Sequence, residues 1–196
     1  MRRKNKFLLY FIILIVCSNS SNIYSQDTTV LYSLIKRTDS GFLMLKKNIR
    51  VSEIRNNFSL KYLYIDSTLR SISFLDSAGN LYDGTYSNAL TIFEYDNNVL
   101  KYKKMFDKSG RRVNDPFLGY SSIEFLYDNL GRIIKEIYRE KNDSIIKYLP
   151  NIDFIPPFFE YVYLKDKCLR KWLDNNNRIQ FIDTCNCPKI KVKLNK

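Results

Sequence analysis

Residues 125–134, which read FLYDNLGRII, decide the fold of this chain. Short runs of aromatic and branched residues stand on both sides of an Asp-Asn-Leu-Gly centre. Asp and Asn bond to their own backbone two residues on, and Gly readily adopts the positive φ of a tight turn. The stretch therefore predicts a β-hairpin whose turn contains Asp128 and Gly131.

The same pattern recurs along the chain. Residues 93–100 (FEYDNNVL) match it 32 residues earlier, with Asp96 in the turn and two residues fewer between the strands. A second kind of turn recurs four times, at residues 75–80, 106–111, 138–143 and 173–178. The candidate turn formers of this second kind are Asp76, Gly79, Asp107, Gly110 and Asp174.

Strand-forming runs flank these turns. Ile, Val, Tyr and Phe dominate residues 123–127, 133–138, 145–149, 159–164 and 179–182. The sequence therefore predicts a mainly β fold, with antiparallel hairpins in one curved or meandering sheet. Residues 189–194 alternate lysine with apolar residues, as an exposed edge strand does.

The predicted organisation has three parts: a leader over residues 1–25, an N-terminal segment over 26–58 and a β-hairpin repeat domain over 59–196. Within the second part, residues 30–36 and 42–47 each fit either a short helix or a strand.

Residues 127–133 resemble the YD repeat of RHS-type proteins, and residues 106–128 resemble longer repeats found in many secreted bacterial proteins. The resemblance spans roughly residues 60–180, but only residues 106–138 are close to the pattern. It implies an antiparallel β scaffold without a catalytic centre of its own.

The first 25 residues have the pattern of a secretory signal peptide. Four basic residues precede an apolar run over residues 7–17, and Ser25 is a small residue before Gln26. We predict cleavage after Ser25 and export to the periplasm or cell surface. A retained membrane anchor is one alternative, but the apolar run is short of the about 20 residues that a spanning helix needs. Lipid attachment at Cys17 is another, although Val16 is bulky for such a site.

Cleavage would leave 171 residues with a net charge of +8, because the leader holds four of the 32 basic residues and none of the 20 acidic ones. The chain has no histidine, which removes the commonest general base and a frequent metal ligand. Three cysteines would remain. In an oxidising compartment we expect a disulfide from Cys168 to Cys185 or Cys187, whereas a closed metal site would lack ligands.

Basic and aromatic residues are interleaved in several segments and predict a basic, aromatic surface. Outside the cytoplasm such a surface would meet acidic polysaccharide or anionic lipid headgroups rather than nucleic acid, and a solvated face is the plain alternative. Its candidate residues are Lys101, Lys103, Lys104, Arg111, Arg112, Lys189, Lys191 and Lys193.

The sequence thus predicts an exported, non-enzymatic binding or scaffold protein of the bacterial cell envelope, with no cofactor, no metal site and no transmembrane helix in the mature chain. Its partner would be a protein or an envelope polymer. One alternative is a periplasmic inhibitor or immunity-type protein that masks a partner. Another is an enzyme of unrecognised type, in which acids such as Asp76 and Asp107 would converge. Their recurrence at one turn position favours a structural role.

Overall fold

The computed structural model describes residues 26–38, 41–54, 56–84, 88–115, 118–147, 155–165 and 167–185. The predicted leader and Cys17, and the C-terminal candidates Cys187, Lys189, Lys191 and Lys193, lie outside these residues. The described part contains a short 3-10 helix, Val51–Glu53, and eleven strands. These are β1 (Thr28–Thr38), β2 (Gly41–Ile49), β3 (Ser59–Ile65), β4 (Thr68–Leu75), β5 (Leu90–Asp96), β6 (Val99–Phe106), β7 (Ser122–Tyr127), β8 (Ile133–Arg139), β9 (Phe158–Tyr163), β10 (Cys168–Leu173) and β11 (Ile179–Cys185).

All eleven strands form one open antiparallel sheet, in the order β11-β10-β9-β8-β7-β6-β5-β4-β3-β1-β2. The prediction of a mainly β, meandering sheet is confirmed. The N-terminal residues that fitted either a helix or a strand form β1 and β2. Because β1 pairs with β3 from Thr28 opposite Ile65 to Leu34 opposite Ser59, the N-terminal segment belongs to the same sheet as the later hairpins.

Two-residue turns join β3 to β4 and β5 to β6. Asp66 and Ser67 have φ values of 49° and 62°, and Asn97 and Asn98 have 48° and 64°. Positive φ at both central residues is the geometry of a type I′ turn, whose twist matches that of the flanking strands. Asp and Asn tolerate this conformation better than other residues with a side chain, which explains their presence here.

The turn between β7 and β8 is longer and uses its aspartate differently. The Asp128 Oδ1 atom accepts hydrogen bonds from the backbone N–H groups of Leu130 (3.0 Å) and Arg132 (2.9 Å). Gly131 has a φ of 73°, a conformation that this turn requires and that glycine adopts at little cost.

The turns at the other end of the sheet repeat this arrangement. After β4, β6 and β10, an aspartate Oδ1 atom accepts hydrogen bonds from the backbone N–H groups two and four residues on, at 2.8 to 2.9 Å. After β8 the backbone bonds of the turn are kept, but Asn142 supplies the side-chain oxygen. The aspartates concerned are Asp76, Asp107 and Asp174.

Neighbouring hairpins are joined by recurring side-chain contacts at both ends of the sheet. At one end a tyrosine hydroxyl donates to a backbone carbonyl of the preceding hairpin: Tyr95 to Leu69 (2.9 Å), Tyr127 to Leu100 (2.7 Å) and Tyr163 to Ile133 (2.8 Å). The tyrosine of the aromatic-Asp pattern therefore has a physical role, since it fastens each hairpin to the one before it.

At the opposite end, a side-chain oxygen of one hairpin accepts from a turn amide of the next. The Lys108 N–H donates to Asp83 at 2.8 Å, and the Lys141 N–H donates to Asn114 at 2.9 Å. These contacts supply acceptors to backbone N–H groups of the turn that would otherwise bond only to water.

Aromatic residues run across one face of the sheet, which we call the aromatic face. Rings of Tyr120, Tyr138, Phe159, Trp172 and Phe181 form successive edge-to-face contacts, with centroids 4.9 to 5.6 Å apart. This geometry places the positive edge of one ring against the negative face of the next. The main buried cluster lies on this face and also includes Met105, Ile123 and Phe125.

The predicted strand over residues 145–149 is wrong in extent within the described residues. Ile145 forms only an isolated bridge with Arg139. The neighbouring Ile146 N–H bonds to the Tyr138 carbonyl, so the chain touches β8 there without continuing as a strand.

In the part of the chain that the structure describes, no helix is long and apolar enough to cross a membrane.

Candidate functional site

Strand alternation divides the predicted basic residues between the two faces of β6. Lys103 lies on the aromatic face, opposite Phe93 and Ile123, and burial lowers the pKa of its ammonium group. Tyr102 and Lys104 lie on the other face, which we call the charged face. The predicted basic surface is therefore not one continuous patch.

A row of three paired residues crosses the middle of the charged face. Lys104 on β6 is opposite Ser122 on β7, which is in turn opposite Arg139 on β8. Ser122 is only 1% exposed and is the shortest side chain of the three. The sheet surface dips over this serine into a depression of about 360 Å³. Its lining residues are Tyr102, Lys104, Ser122, Glu124, Arg139 and Asp143.

Arg112 joins this site from the connection between β6 and β7. Its guanidinium donates to the hydroxyls of Ser121 (3.0 Å) and Ser122 (3.1 Å) and to the Asp143 carboxylate (3.2 Å). The neighbouring Arg111 instead pairs with Asp107 in its own turn and is 79% exposed. Of the two predicted arginines, Arg112 is the one that bonds to residues lining the depression, Ser122 and Asp143.

Carboxylates hold the cations of the depression in place. Both oxygens of Glu94 accept from the Lys104 ammonium, at 2.6 and 2.8 Å. Glu124 accepts from the Arg139 guanidinium at 2.8 Å and from the Tyr102 hydroxyl at 3.3 Å, with Lys101 3.5 Å away.

The environment of Glu124 keeps it ionised. Burial on its own would raise its pKa, but the hydrogen bond and the charge of Arg139, helped by Lys101, outweigh burial and hold the pKa below its usual value. A carboxylate of this kind accepts hydrogen bonds at neutral pH and does not act as a proton donor.

A second row on the charged face has the same pattern of cations but no short residue. Glu160 on β9 lies between Lys135 on β8 and Lys171 on β10 as their Cα partner. Its carboxylate binds the Lys171 ammonium at 2.8 Å. A long anionic side chain therefore occupies the place that Ser122 leaves open in the first row.

The aromatic face carries polar groups that bond to one another. The Glu136 carboxylate accepts from the hydroxyls of Tyr138 (2.6 Å) and Tyr161 (2.9 Å). Burial, followed by the charge of Glu136, raises the pKa of both hydroxyls. Further along this face Arg170 forms a two-pronged ion pair with Asp183. These contacts join β8 to β9 and β10 to β11, and they suit a structural role.

Two of the three cysteines considered for a disulfide are neighbours in the sheet. Cys168 and Cys185 are Cα partners across β10 and β11, a relation that places Cα atoms about 4.5 to 5.5 Å apart and is within the reach of a disulfide. Cys168 is fully buried. The structure does not join the two by a disulfide, so the pairing stays a prediction, and Cys187 lies outside the described residues.

The predicted turn residues lie in or next to turns, and the carboxylates of Asp76, Asp107, Asp128 and Asp174 accept hydrogen bonds from their own turns. Asp96 is instead the last residue of β5 and pairs with Val99 across the turn formed by Asn97 and Asn98. Gly79 and Gly110 have φ values of 85° and 77°.

Within the described residues, no group of three or more Cys, Asp or Glu side chains could hold a metal ion.

The chain matches no family model, no curated protein and no solved structure.

Sequence reasoning missed the residues that shape the depression, which are Ser122, Glu124 and Arg139. Alternation in β7 was a usable signal, because polar Ser122 and Glu124 share one face while Ile123 and Phe125 share the other. Sequence reasoning also missed Asp83 and Asn114. These two residues occupy equivalent positions 31 residues apart, each after a turn of the second kind.

Proposed function

We propose that this chain is an exported binding or scaffold protein of the bacterial cell envelope, built from hairpins of the YD/RHS type, which acts by contact and not by catalysis. The observation that carries the proposal is the charged face of the sheet. Its ion-paired cations, Tyr102 and the depression over Ser122 form a patterned surface open to solvent. Such a surface is suited to holding a polar ligand.

The state of the carboxylates supports a binding role. Asp76, Asp107 and Asp128 accept backbone hydrogen bonds in their turns, and these bonds lower the pKa of each carboxyl group. Glu124 is held ionised by Arg139. Acid catalysis needs a carboxyl group whose pKa is raised, and these groups are shifted the opposite way.

The leader pattern over residues 1–25 supports the cell envelope as the location. Expression with this leader, followed by intact mass measurement of the periplasmic fraction, tests it. We expect a chain that begins at Gln26. A lipid-modified chain beginning at Cys17 would move the protein to a membrane surface, and a full-length cytoplasmic chain would contradict export.

Binding is tested by co-sedimentation of the purified mature chain with washed cell envelopes and with their extracted polysaccharide. We expect retention that falls as salt rises, because the charged face carries the contact. Recovery of all the protein in the supernatant at low salt would contradict the binding role.

A partner protein is the second candidate, favoured by the outer strands of the described sheet. On β2, Leu43 and Leu45 are 56% and 52% exposed, and on β11 Phe181 is 55% exposed. Apolar residues exposed on an edge strand suit pairing with another chain. An inhibitor or immunity-type role predicts a stoichiometric complex with an envelope protein that Leu45→Asp abolishes, while binding to envelope polysaccharide is unchanged.

A further inference from the structure

We propose that the depression over Ser122 binds a sugar carboxylate of an acidic polysaccharide, with Lys104 and Arg139 on its two sides and the Ser122 hydroxyl at its floor. This inference rests on the proposed binding function and assigns a site and a ligand class to it.

The shape of the site follows from one short residue between two long ones. Adjacent strands are about 4.8 Å apart, so Lys104 and Arg139, two strands apart, are separated by roughly 10 Å at their Cα atoms. Ser122 between them leaves this width open. A volume of about 360 Å³ is at the lower end of the range for small-molecule sites and suits one sugar ring.

The hydrogen-bonding capacity of the site favours an anion. The Glu94 and Glu124 oxygens already accept from Lys104, Arg139 and Tyr102. An ammonium group has three donors, and Glu94 takes two of those of Lys104. The Ser122 oxygen accepts from Arg112, and a hydroxyl group can donate as well as accept. With their partners counted, four cations (Lys101, Lys104, Arg112 and Arg139) face three carboxylates (Glu94, Glu124 and Asp143), so the network keeps a net charge of +1. A ligand carboxylate supplies acceptors to the donors that remain.

The rest of the charged face favours a polymer over a single small anion. Lys135 continues the line of cations along β8, beyond the depression. A chain of acidic sugars that places one carboxylate over Ser122 would bring a later one near Lys135. Tyr102 lines the depression, and the Lys104 ammonium lies over its ring, 5.0 Å from the centroid, a cation–π contact that helps to hold this cation at the site.

Calorimetric titration of the mature protein with polygalacturonate tests the site. We expect binding by the wild type, and a loss of about tenfold or more in affinity for Lys104→Gln, the range of one hydrogen bond to a charged group. Lys171→Gln is the matched control, because it removes the same charge from an equivalent ion pair where Glu160 fills the row. It should lose affinity by less than about threefold.

Ser122→Glu tests the depression itself, because it copies the Lys135, Glu160 and Lys171 arrangement into the first row. The new carboxylate would lie among Lys104, Arg139 and Arg112, so we expect the thermal unfolding midpoint to be kept and polygalacturonate binding to be lost. If this variant fails to fold, Lys104→Gln against Lys171→Gln still decides the question. Equal losses for these two lysine variants would overturn the proposed site.

Two further titrations identify the ligand class. Neutral dextran should not bind, and vesicles of phosphatidylglycerol should bind no better to the wild type than to Lys104→Gln. Dextran binding equal to that of polygalacturonate, or vesicle binding that depends on Lys104, would overturn the assignment to an acidic polysaccharide. Retention on cell envelopes that survives in Lys104→Gln would leave the binding function standing and remove only this site.

Discussion

The connections that follow β8 and β10 begin with the same kind of turn and then differ. After β8 the connection touches Tyr138 twice, through the Ile146 N–H and the Pro157 carbonyl, and Tyr138 is 6% exposed. After β10 the chain runs directly into β11, where Phe181 opposite Trp172 is 55% exposed. The turn thus fixes the hairpin, whereas residues that return to the strand cover the aromatic face at β8. At β11, an outer strand of the described sheet, that face is left exposed.

The largest expected effect tests this difference directly. Tyr138→Ala should lower the free energy of unfolding by about 3–5 kcal/mol, since it removes a buried ring and two edge-to-face contacts. Phe181→Ala at the uncovered end should cost about 1 kcal/mol or less, because much of that ring is already in water. Urea unfolding followed by tyrosine and tryptophan fluorescence measures both. Equal losses would contradict the difference in cover.

The next effect tests whether the turn stabilises the hairpin independently of the residues that cover the aromatic face. Gly131→Val should destabilise the protein by about 1–3 kcal/mol, because a β-branched residue is strained at a φ of 73°. Leu130→Val is the matched control at the adjacent, 65% exposed position. The same urea experiment compares them, and an unchanged midpoint for Gly131→Val would count against the turn.

Much of this could be predicted from the sequence, because turns depend on nearby residues. Asp128 and Gly131 bring their own hydrogen bonds and φ preference, so the hairpin between β7 and β8 follows from residues 125–134. The position of β1 between β2 and β3 could not be predicted this way, since no local signal tells a strand which edge to join.

The candidate site could not be predicted from the sequence either, for a related reason. Lys104, Ser122 and Arg139 become neighbours only once the register of β6, β7 and β8 is set. The connection between β6 and β7 is too long for its turn chemistry to fix that register. Lys103 illustrates the same limit, because a shift of one residue would exchange it with Lys104 between the two faces.

Acid should weaken the turns that recur along the sheet. Backbone N–H groups lower the pKa of Asp76, Asp107 and Asp128 in the folded chain. The unfolded chain therefore takes up protons first as pH falls below about 4, and the stability present above that pH is lost towards the lower folded-state pKa values. The urea midpoint should fall between pH 7 and pH 3. Asp128→Asn, which keeps the oxygen acceptor but does not titrate, should fall less; an equal fall would contradict the assignment.

A smaller effect is expected from the tyrosine contacts that join one hairpin to the next. Tyr127→Phe removes only the hydroxyl that donates to the Leu100 carbonyl and should cost about 1 kcal/mol. Tyr163→Phe, which breaks the equivalent bond to Ile133, should cost a similar amount. Thermal unfolding of the two variants measures this. A loss in one and none in the other would show that the hairpins are not joined in the same way.

Amide hydrogen exchange in Asp83→Ala, resolved by residue, tests most directly whether neighbouring hairpins are held by one recurring set of contacts. The Asp83 carboxylate accepts from the Lys108 N–H, and Asn114 accepts equivalently from the Lys141 N–H one hairpin later. We expect the Lys108 amide to exchange faster in Asp83→Ala while the Lys141 amide is unchanged, and the reverse in Asn114→Ala. Unchanged exchange at Lys108, or faster exchange at both amides in either variant, would contradict this description of the sheet.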